Sequence, residues 1–231
     1  MNTLVKSTAL GAAIALSTPA FAYEQGTTIL RLGAAGVNPD VSSSALSLSG
    51  TQLPGTAADV DNGAALGITA AYLFRDHWGV ELLAATPFKH ELSAKGLGET
   101  FDLGETKHLP PTLMLQWFPL DAASSVQPYV GLGVNYTKFF EEKISGEADA
   151  VFASLGATGG ADLSLDSSYG IAAEAGVDFG FGAQKQWMLN LAVWWIDIDT
   201  EAKVDVPGVG TVTADVELDP LVYMAGLGYR F

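Results

Sequence analysis

Cysteine is absent from the chain, so the sequence excludes a disulfide framework, a thiolate metal site and a cysteine nucleophile. Charged residues are also scarce, at 16% of the chain, and basic ones are the scarcer kind, with 11 Lys and Arg against 26 Asp and Glu. The resulting net charge of −15 repels phosphate backbones, so nucleic acid is not an expected partner. The fold must be held together by something other than disulfides.

Long apolar runs are also missing after the N-terminal residues. There Lys6 precedes a short apolar stretch, and Ala20-Phe21-Ala22 follows it as an A-x-A cleavage site, which is the pattern of a secretory signal peptide. The stretch is shorter than the ~20 residues that cross a bilayer as a helix. The sequence therefore predicts a signal peptide over residues 1–22, removed on export, and one mature domain over residues 23–231.

What the chain does have is alternation of apolar and small or polar residues. In its last eleven residues Leu221, Tyr223, Leu227 and Tyr229 share one strand face, and the chain ends on the aromatic Phe231. Seen alone, this segment also fits a core strand of a soluble sandwich. Similar alternation recurs in eight segments of strand length, namely 28–37, 64–74, 78–88, 111–118, 128–139, 169–181, 187–198 and 216–231.

The connections between these segments alternate in length, which a soluble sandwich has no reason to maintain. The short ones are 75–77, 119–127 and 182–186. The long ones, 38–63, 89–110, 140–168 and 199–215, are rich in Ser, Gly and Asp and are expected to be solvated loops. The sequence predicts an all-β fold: an eight-stranded antiparallel transmembrane β-barrel with short periplasmic turns and long extracellular loops, in the outer membrane of a Gram-negative bacterium.

Strand parity also predicts what faces the lumen. Charged side chains are costly against hydrocarbon, so charged members of the strands are expected to point inward and to form a network. This network comprises Arg31, Glu81, Glu174, Asp178 and Arg230. A salt-bridged plug is the favoured interpretation, and a proton or ion path is the alternative.

The same parity turns Leu83 and Trp194 inward, either as filling or as an apolar constriction. Catalysis has little support, since the three histidines His77, His90 and His108 show no metal spacing and no nucleophile motif accompanies them. Asp-x-Asp pairs such as Asp197 and Asp199 are interpreted as surface charge. No catalytic residue, metal site or cofactor is predicted.

Several stretches together resemble the outer-membrane protein W family: 80–88, 108–113, 127–137, 166–177, 193–200 and 219–231. The resemblance implies a narrow hydrophobic channel with an inward Leu and Trp as its gate, which fall on Leu83 and Trp194. It also implies uptake of small hydrophobic compounds, with release sideways through a gap in the wall. Pro110 and Pro111 are compatible with such a gap, because proline cannot donate a ladder hydrogen bond. They are equally compatible with a boundary between a loop and a strand that has no role in transport.

The leading hypothesis is passive uptake of small hydrophobic solutes, with outer-membrane lipid and lipopolysaccharide as surroundings. The barrel assembly machinery is an expected partner in biogenesis, since Phe231 resembles the terminal signal that it reads. The alternative is a closed structural or surface-recognition barrel whose acidic loops are the receptor for a phage, toxin or host molecule. An embedded hydrolase stays open only because His90 and His108 flank one long connection.

Overall fold

The computed structural model describes residues 23–96, 100–182 and 184–231, so the predicted signal peptide lies outside the described residues. Within these ranges no helix is long and apolar enough to cross a membrane. The elements are β1 (Thr28–Asn38), β2 (Ser42–Ser43), β3 (Ser47–Leu48), β4 (Thr51–Gln52), β5 (Ala57–Val60), β6 (Gly63–Arg75), β7 (Trp78–Ala85), β8 (Phe88–Lys95), β9 (Phe101–Leu109), β10 (Thr112–Trp117), β11 (Val126–Ile144), α1 (Gly146–Ser154), β12 (Asp162–Leu165), β13 (Ser168–Phe181), β14 (Trp187–Ile196), β15 (Asp199–Val206), β16 (Gly210–Glu217) and β17 (Leu221–Arg230).

Eight of these strands form a closed antiparallel barrel, which confirms the predicted fold. Each wall strand pairs with the next along the chain, in the order β1, β6, β7, β10, β11, β13, β14 and β17, and β17 pairs back with β1. In this closing pair Ile29 lies opposite Arg230 and Asn38 lies opposite Leu221. Closure gives every wall strand two neighbours, so its backbone groups find partners without water.

The two strand faces differ as the alternation requires. Inward residues of the wall strands are buried, whereas the outward ones form an apolar surface suited to lipid tails. The outward surface includes Leu32, Leu66, Leu82, Leu113, Leu132 and Leu227. Exposed aromatic residues gather at the end with the short turns, at Phe74, Trp78, Trp117, Phe181, Trp187 and Phe231. They form the girdle expected at the periplasmic membrane boundary.

The closing strands approach each other unusually closely at Gly33 and Gly226, which face one another. A Cβ atom on Gly33 would lie 2.4 Å from the carbonyl oxygen of Ala225, and one on Gly226 would lie 2.3 Å from that of Leu32. Glycine has no Cβ, so these positions admit a contact that alanine would block.

Some predicted segment ends are wrong, and proline explains two of them. The predicted segment 78–88 contains Pro87, and the structure ends β7 at Ala85 and starts β8 at Phe88. The predicted segment 216–231 contains Pro220, and the structure ends β16 at Glu217 and starts β17 at Leu221. Proline lacks the N–H that a ladder needs, so both strands are interrupted where it occurs.

The long connections are not solvated loops, contrary to the prediction. They extend the barrel beyond the membrane as two pieces of sheet, which we call the extension. One piece continues the long strand β11 through β9 and β8 to β5, and the other joins β12, β15, β16, β3 and β4, with β2 also on β16. Most of their inward residues are apolar, with His90 and Thr106 among the exceptions, and the free energy of burying the apolar ones organises these segments.

A small apolar core at the far end of the extension holds α1 against the sheets. Phe152 and Ala148 of the helix are buried in this core together with Leu92, Leu163 and Val204. The side chain of Ser145 caps the helix by accepting a hydrogen bond from the Ala148 N–H at 3.0 Å. The extension is therefore a packed structure with its own interior.

Candidate functional site

The candidate site is the barrel lumen, where Leu83 of β7 and Trp194 of β14 meet. Leu83 is 5% exposed and Trp194 is fully buried. Both line one small apolar cavity, which also touches Phe88, Pro110 and Met224. The structure thus brings together the two residues that parity turned inward. Whether they act as a gate stays a prediction.

The indole of Trp194 is held in one orientation by a neighbour. Its Nε1–H donates to Oε2 of Glu174 at 2.7 Å, and the two residues face each other across the β13–β14 pair. Burial of both side chains makes this hydrogen bond difficult to exchange with water. Glu174 therefore fixes the orientation of the Trp194 indole in the lumen.

Toward the periplasmic end the lumen is filled by a buried ion cluster centred on Arg31. The guanidinium binds Asp178 through Nε at 3.0 Å and Nη2 at 2.5 Å, and Nη1 lies 2.7 Å from Oε2 of Glu81. All three side chains are fully shielded from solvent. A bidentate, desolvated cluster of this kind fills the lumen with ionic groups that are paired with one another rather than with water. We call it the polar plug.

Three residues outside the predicted charge network complete the plug. The ring of Tyr129 lies 4.8 Å from the Arg31 guanidinium carbon, and Asn190 donates to both the Tyr129 hydroxyl and Asp178, at 2.9 and 2.8 Å. Tyr23 donates to Asp178 at 2.8 Å from the start of the described chain. Strand parity in the segment 128–139 turns Tyr129 inward, so the sequence pattern could have identified Tyr129 as a lumen residue.

Arg230 borders this cluster at Tyr23 without joining its ion pairs, which differs from the predicted network. Among the described residues it forms no ion pair, and its guanidinium carbon lies 5.2 Å from the ring centre of Tyr23. Glu174 also lies outside the ion pairs of the plug, because it binds the Trp194 indole. The plug thus contains one cation and two anions of the predicted network, namely Arg31, Glu81 and Asp178.

Above Trp194 the lumen continues into the extension as an apolar passage. A narrow cavity runs between Val37, Phe139, Leu165 and Leu218, and a second cavity follows it toward Phe152. The two cavities share the lining residues Ala58, Leu103 and Ala202, so they are adjacent. Apolar lining of this kind binds hydrophobic molecules and offers little to polar ones.

His90 and His108 lie in the wall of the first cavity and are stacked on each other. Their ring centres are 4.8 Å apart with planes 10° from parallel, and His108 also stacks on Phe88 at 5.4 Å. Burial lowers the pKa of His90, and burial with the neighbouring His90 lowers the pKa of His108 to about 3. Both rings are therefore neutral at ordinary pH.

No hydrolase arrangement surrounds these histidines. His90 Nδ1 lies 2.5 Å from the backbone carbonyl oxygen of Asp61, and no serine hydroxyl within residues 23–96, 100–182 and 184–231 is hydrogen-bonded to either ring. His77 lies in a short turn at the other end of the barrel. A nucleophile and its base are thus not paired here.

Asp197 and Asp199 are joined by Asp219, with ligand atoms within 4.8 Å of one another. Partial burial, with the charges of the other two carboxylates, raises the pKa of Asp199. The Asp-x-Asp pair thus belongs to a surface cluster of three carboxylates.

Phe231, the predicted assembly signal, lies on the lipid side against Tyr229, and its N–H donates to the Thr28 carbonyl at 2.9 Å.

The barrel wall is interrupted beside Leu83 and Trp194. The pairing of β7 with β10 stops at Leu83 opposite Thr112, and strand pairing resumes at Phe88 opposite His108. Pro110 and Pro111 lie in this interval and donate no hydrogen bond. Pro110 lines the inner cavity with Leu83 and Trp194, whereas Pro111 lines a groove on the outer surface. Thus the two prolines border the same part of the wall from opposite sides.

The closed wall, apolar outer face and aromatic girdle define an outer-membrane β-barrel. The model of the OmpW family matches residues 24–231, and the chain belongs to that family. Outer membrane protein W of Vibrio cholerae is 41% identical to it over 98% of this chain and 100% of that protein. Its place is therefore the outer membrane of Gram-negative bacteria.

Solved structures agree with this assignment. The crystal structure of the outer membrane protein OprG from Pseudomonas aeruginosa matches with a TM-score of 0.83 at 43% identity, covering 91% of this chain and 98% of that one. The solid-state NMR structure of outer membrane protein AlkL in lipid bilayers has a TM-score of 0.60 at 22% identity, covering 100% and 97%. The second likeness concerns the fold alone.

Proposed function

We propose that this barrel is a passive channel that admits small apolar solutes from outside and releases them sideways into the membrane. The observation that carries the proposal is the small cavity that touches both the gate residues Leu83 and Trp194 and the wall residue Pro110. Its lining residue Phe88 stacks on His108, which lines the first cavity of the apolar passage, so the small cavity lies between that passage and the interrupted wall. No chemical step or cofactor is involved.

The polar plug supports a sideways exit. An apolar solute that reaches Trp194 meets charged groups below it, and separating Arg31 from Asp178 and Glu81 would leave buried charges unpaired. Lateral transfer to lipid tails instead keeps the solute in apolar surroundings throughout. Partition from water into lipid supplies the free energy, so no energy source is needed.

The exit can be tested by narrowing it. Ala85 lines the small cavity beside Pro110, so Ala85→Phe fills the opening, whereas Ala225→Phe places the same ring on the lipid-facing surface as a matched control. We expect uptake of N-phenylnaphthylamine by intact cells to rise when the protein is expressed, to fall severalfold with Ala85→Phe, and to be retained with Ala225→Phe. Arabinose entry into liposomes containing the protein should stay at the protein-free background.

The alternative function, a closed scaffold whose surface binds a phage, toxin or host molecule, is favoured by one observation: the lumen is filled from Arg31 to Trp194. The same experiment separates the two. If wild-type protein brings no more N-phenylnaphthylamine into cells than an empty vector, the channel is wrong and the scaffold is supported.

A further inference from the structure

The stacked histidines carry polar atoms that the apolar passage does not satisfy. His90 is 2% exposed and His108 is 4% exposed, and both line the first cavity. Across residues 23–96, 100–182 and 184–231, His90 Nε2 and His108 Nδ1 have no hydrogen-bond partner. An unpaired buried polar atom costs free energy comparable to a lost hydrogen bond, so two in one cavity wall call for an explanation.

Hydrogen bonding fixes the chemical character of one of these atoms. His90 Nδ1 faces the carbonyl oxygen of Asp61 at 2.5 Å, and a carbonyl only accepts, so Nδ1 carries the proton. In a neutral ring Nε2 is then an acceptor without a donor. Burial keeps the ring neutral because it lowers the pKa of His90.

His108 supplies the complementary group. Its ring is also neutral, so one of its nitrogens is a donor and the other an acceptor. The two ring centres are 4.8 Å apart and the ring planes are nearly parallel, so both rings offer their edges to the same part of the cavity wall. A hydroxyl at that edge would donate to His90 Nε2 and accept from the N–H of His108, each at ordinary hydrogen-bond distance.

We propose that His90 and His108 form a subsite that recognises one neutral hydroxyl group on an otherwise apolar solute. This inference rests on the proposed function, since it assigns a solute class to the same passage. The surrounding Val37, Phe139, Leu165 and Leu218 would contact the apolar body. A carboxylate fits less well, because both rings are neutral and the lining Asp59 is an anion already paired with Lys95.

The test uses the full chain in lipid nanodiscs with nitrogen-15 in its histidine rings. Only three histidines are present, so the imidazole spectrum resolves His77, His90 and His108. The protein is titrated with n-decanol and, separately, with n-decane at matched concentration in the lipid. We expect n-decanol to shift the His90 Nε2 resonance upfield, as hydrogen bonding to a lone pair does, and n-decane to leave it in place.

Affinity gives the second measurement. Two hydrogen bonds predict that n-decanol binds about tenfold more tightly than n-decane. His90→Asn retains a donor for the Asp61 carbonyl but removes Nε2, and should bring this preference close to one. His108→Phe keeps the ring stacking and should do the same. His77→Asn, in the periplasmic turn, is the matched control and should keep the preference.

The outcomes distinguish the subsite from the channel. Equal binding of both solutes, with no response of the His90 nitrogen, overturns the hydroxyl subsite and leaves the channel standing. Absence of binding of either solute overturns both. A preference for n-decanol that survives His90→Asn and His108→Phe in folded barrels assigns the recognition to other residues and also overturns the subsite.

Discussion

The two halves of the lumen are equally buried and opposite in chemistry. The periplasmic half is stabilised by few, strong and directional contacts around Arg31, whereas the outer half is lined by apolar side chains in adjacent cavities. Both halves arise from the same rule that every second strand residue points inward. The difference lies only in which residue types occupy those positions.

Under the proposed function, the polar half blocks passage along the barrel axis and the apolar half receives the solute. In the proposed channel, paired charges exclude apolar solutes along the barrel axis, while an apolar passage gains free energy from the solute that it covers. The outer surface of the extension contains charges too, such as Lys107 with Glu141 at 2.6 Å, where the lysine lowers the pKa of the carboxyl. Those pairs are solvated, so they contribute little beside the plug.

The largest expected effect comes from breaking the polar plug. Arg31→Met removes the only cation of the cluster and leaves Glu81 and Asp178 buried without it, which should cost about 3–5 kcal/mol of unfolding free energy. Urea unfolding in detergent micelles, followed by heat-modifiable gel mobility, measures this. Arg75→Met, at an exposed position near the periplasmic turn, is the control and should change little. A loss below about 1 kcal/mol for Arg31→Met contradicts the plug.

The gate variant tests whether the two halves act separately. In Leu83→Ala/Trp194→Ala the bulk at the small cavity is removed while the plug stays in place. We expect severalfold faster uptake of N-phenylnaphthylamine. Arabinose entry into liposomes should stay at the background, because polar solutes still meet Arg31 and its partners. Unchanged apolar uptake in a folded barrel would make the two residues mere filling. Arabinose entry above the background would show that Leu83 and Trp194, rather than the polar plug, close the lumen along the barrel axis.

Acid should destabilise the outer half of the lumen through His108. The folded-state pKa of His108, about 3, lies below its ordinary value, so the unfolded chain binds the proton first as pH falls. Stability of the extension is therefore complete above about pH 6.5 and falls by about 1.4 kcal/mol per pH unit toward pH 3. Proteolysis of the extension as a function of pH measures this. His108→Phe should flatten the profile and His77→Asn should not.

Strand parity alone predicted the inner half well, since Glu81, Asp178 and Trp194 are all buried where alternation placed them. The partners were harder to predict. Arg31 and Asp178 lie 147 positions apart in the sequence. Strand parity turned Arg230 inward as well, so it predicted Arg230 equally well as the partner of Asp178. Which arginine meets the carboxylates depends on side-chain reach within the closed barrel, and local sequence patterns do not contain that information.

The outer half was the larger failure of sequence reasoning. Glycine, serine and aspartate mask the alternation in the extension strands, so short strands such as β5 and β12 resemble loops. The contact of His90 with His108 arises from the β8–β9 pairing, in which Phe88 lies opposite His108 and His90 opposite Thr106. Such a register is a long-range property, and composition does not reveal it.

The smallest expected effect lies at the border of the two halves, where Glu174 binds the Trp194 indole and lies beside Glu81. Glu174→Gln keeps an acceptor for the indole and offers an amide donor to Oε1 of Glu81, which has no hydrogen-bond partner in the part of the chain that the structure describes. The unfolding free energy should therefore change by less than about 1 kcal/mol. Glu174→Leu removes the acceptor and leaves the indole N–H unpaired, which should cost about 1–3 kcal/mol and speed apolar uptake. Urea unfolding and N-phenylnaphthylamine uptake, measured on both variants, compare these expectations. Equal behaviour of the two variants would mean that Trp194 is held by packing alone.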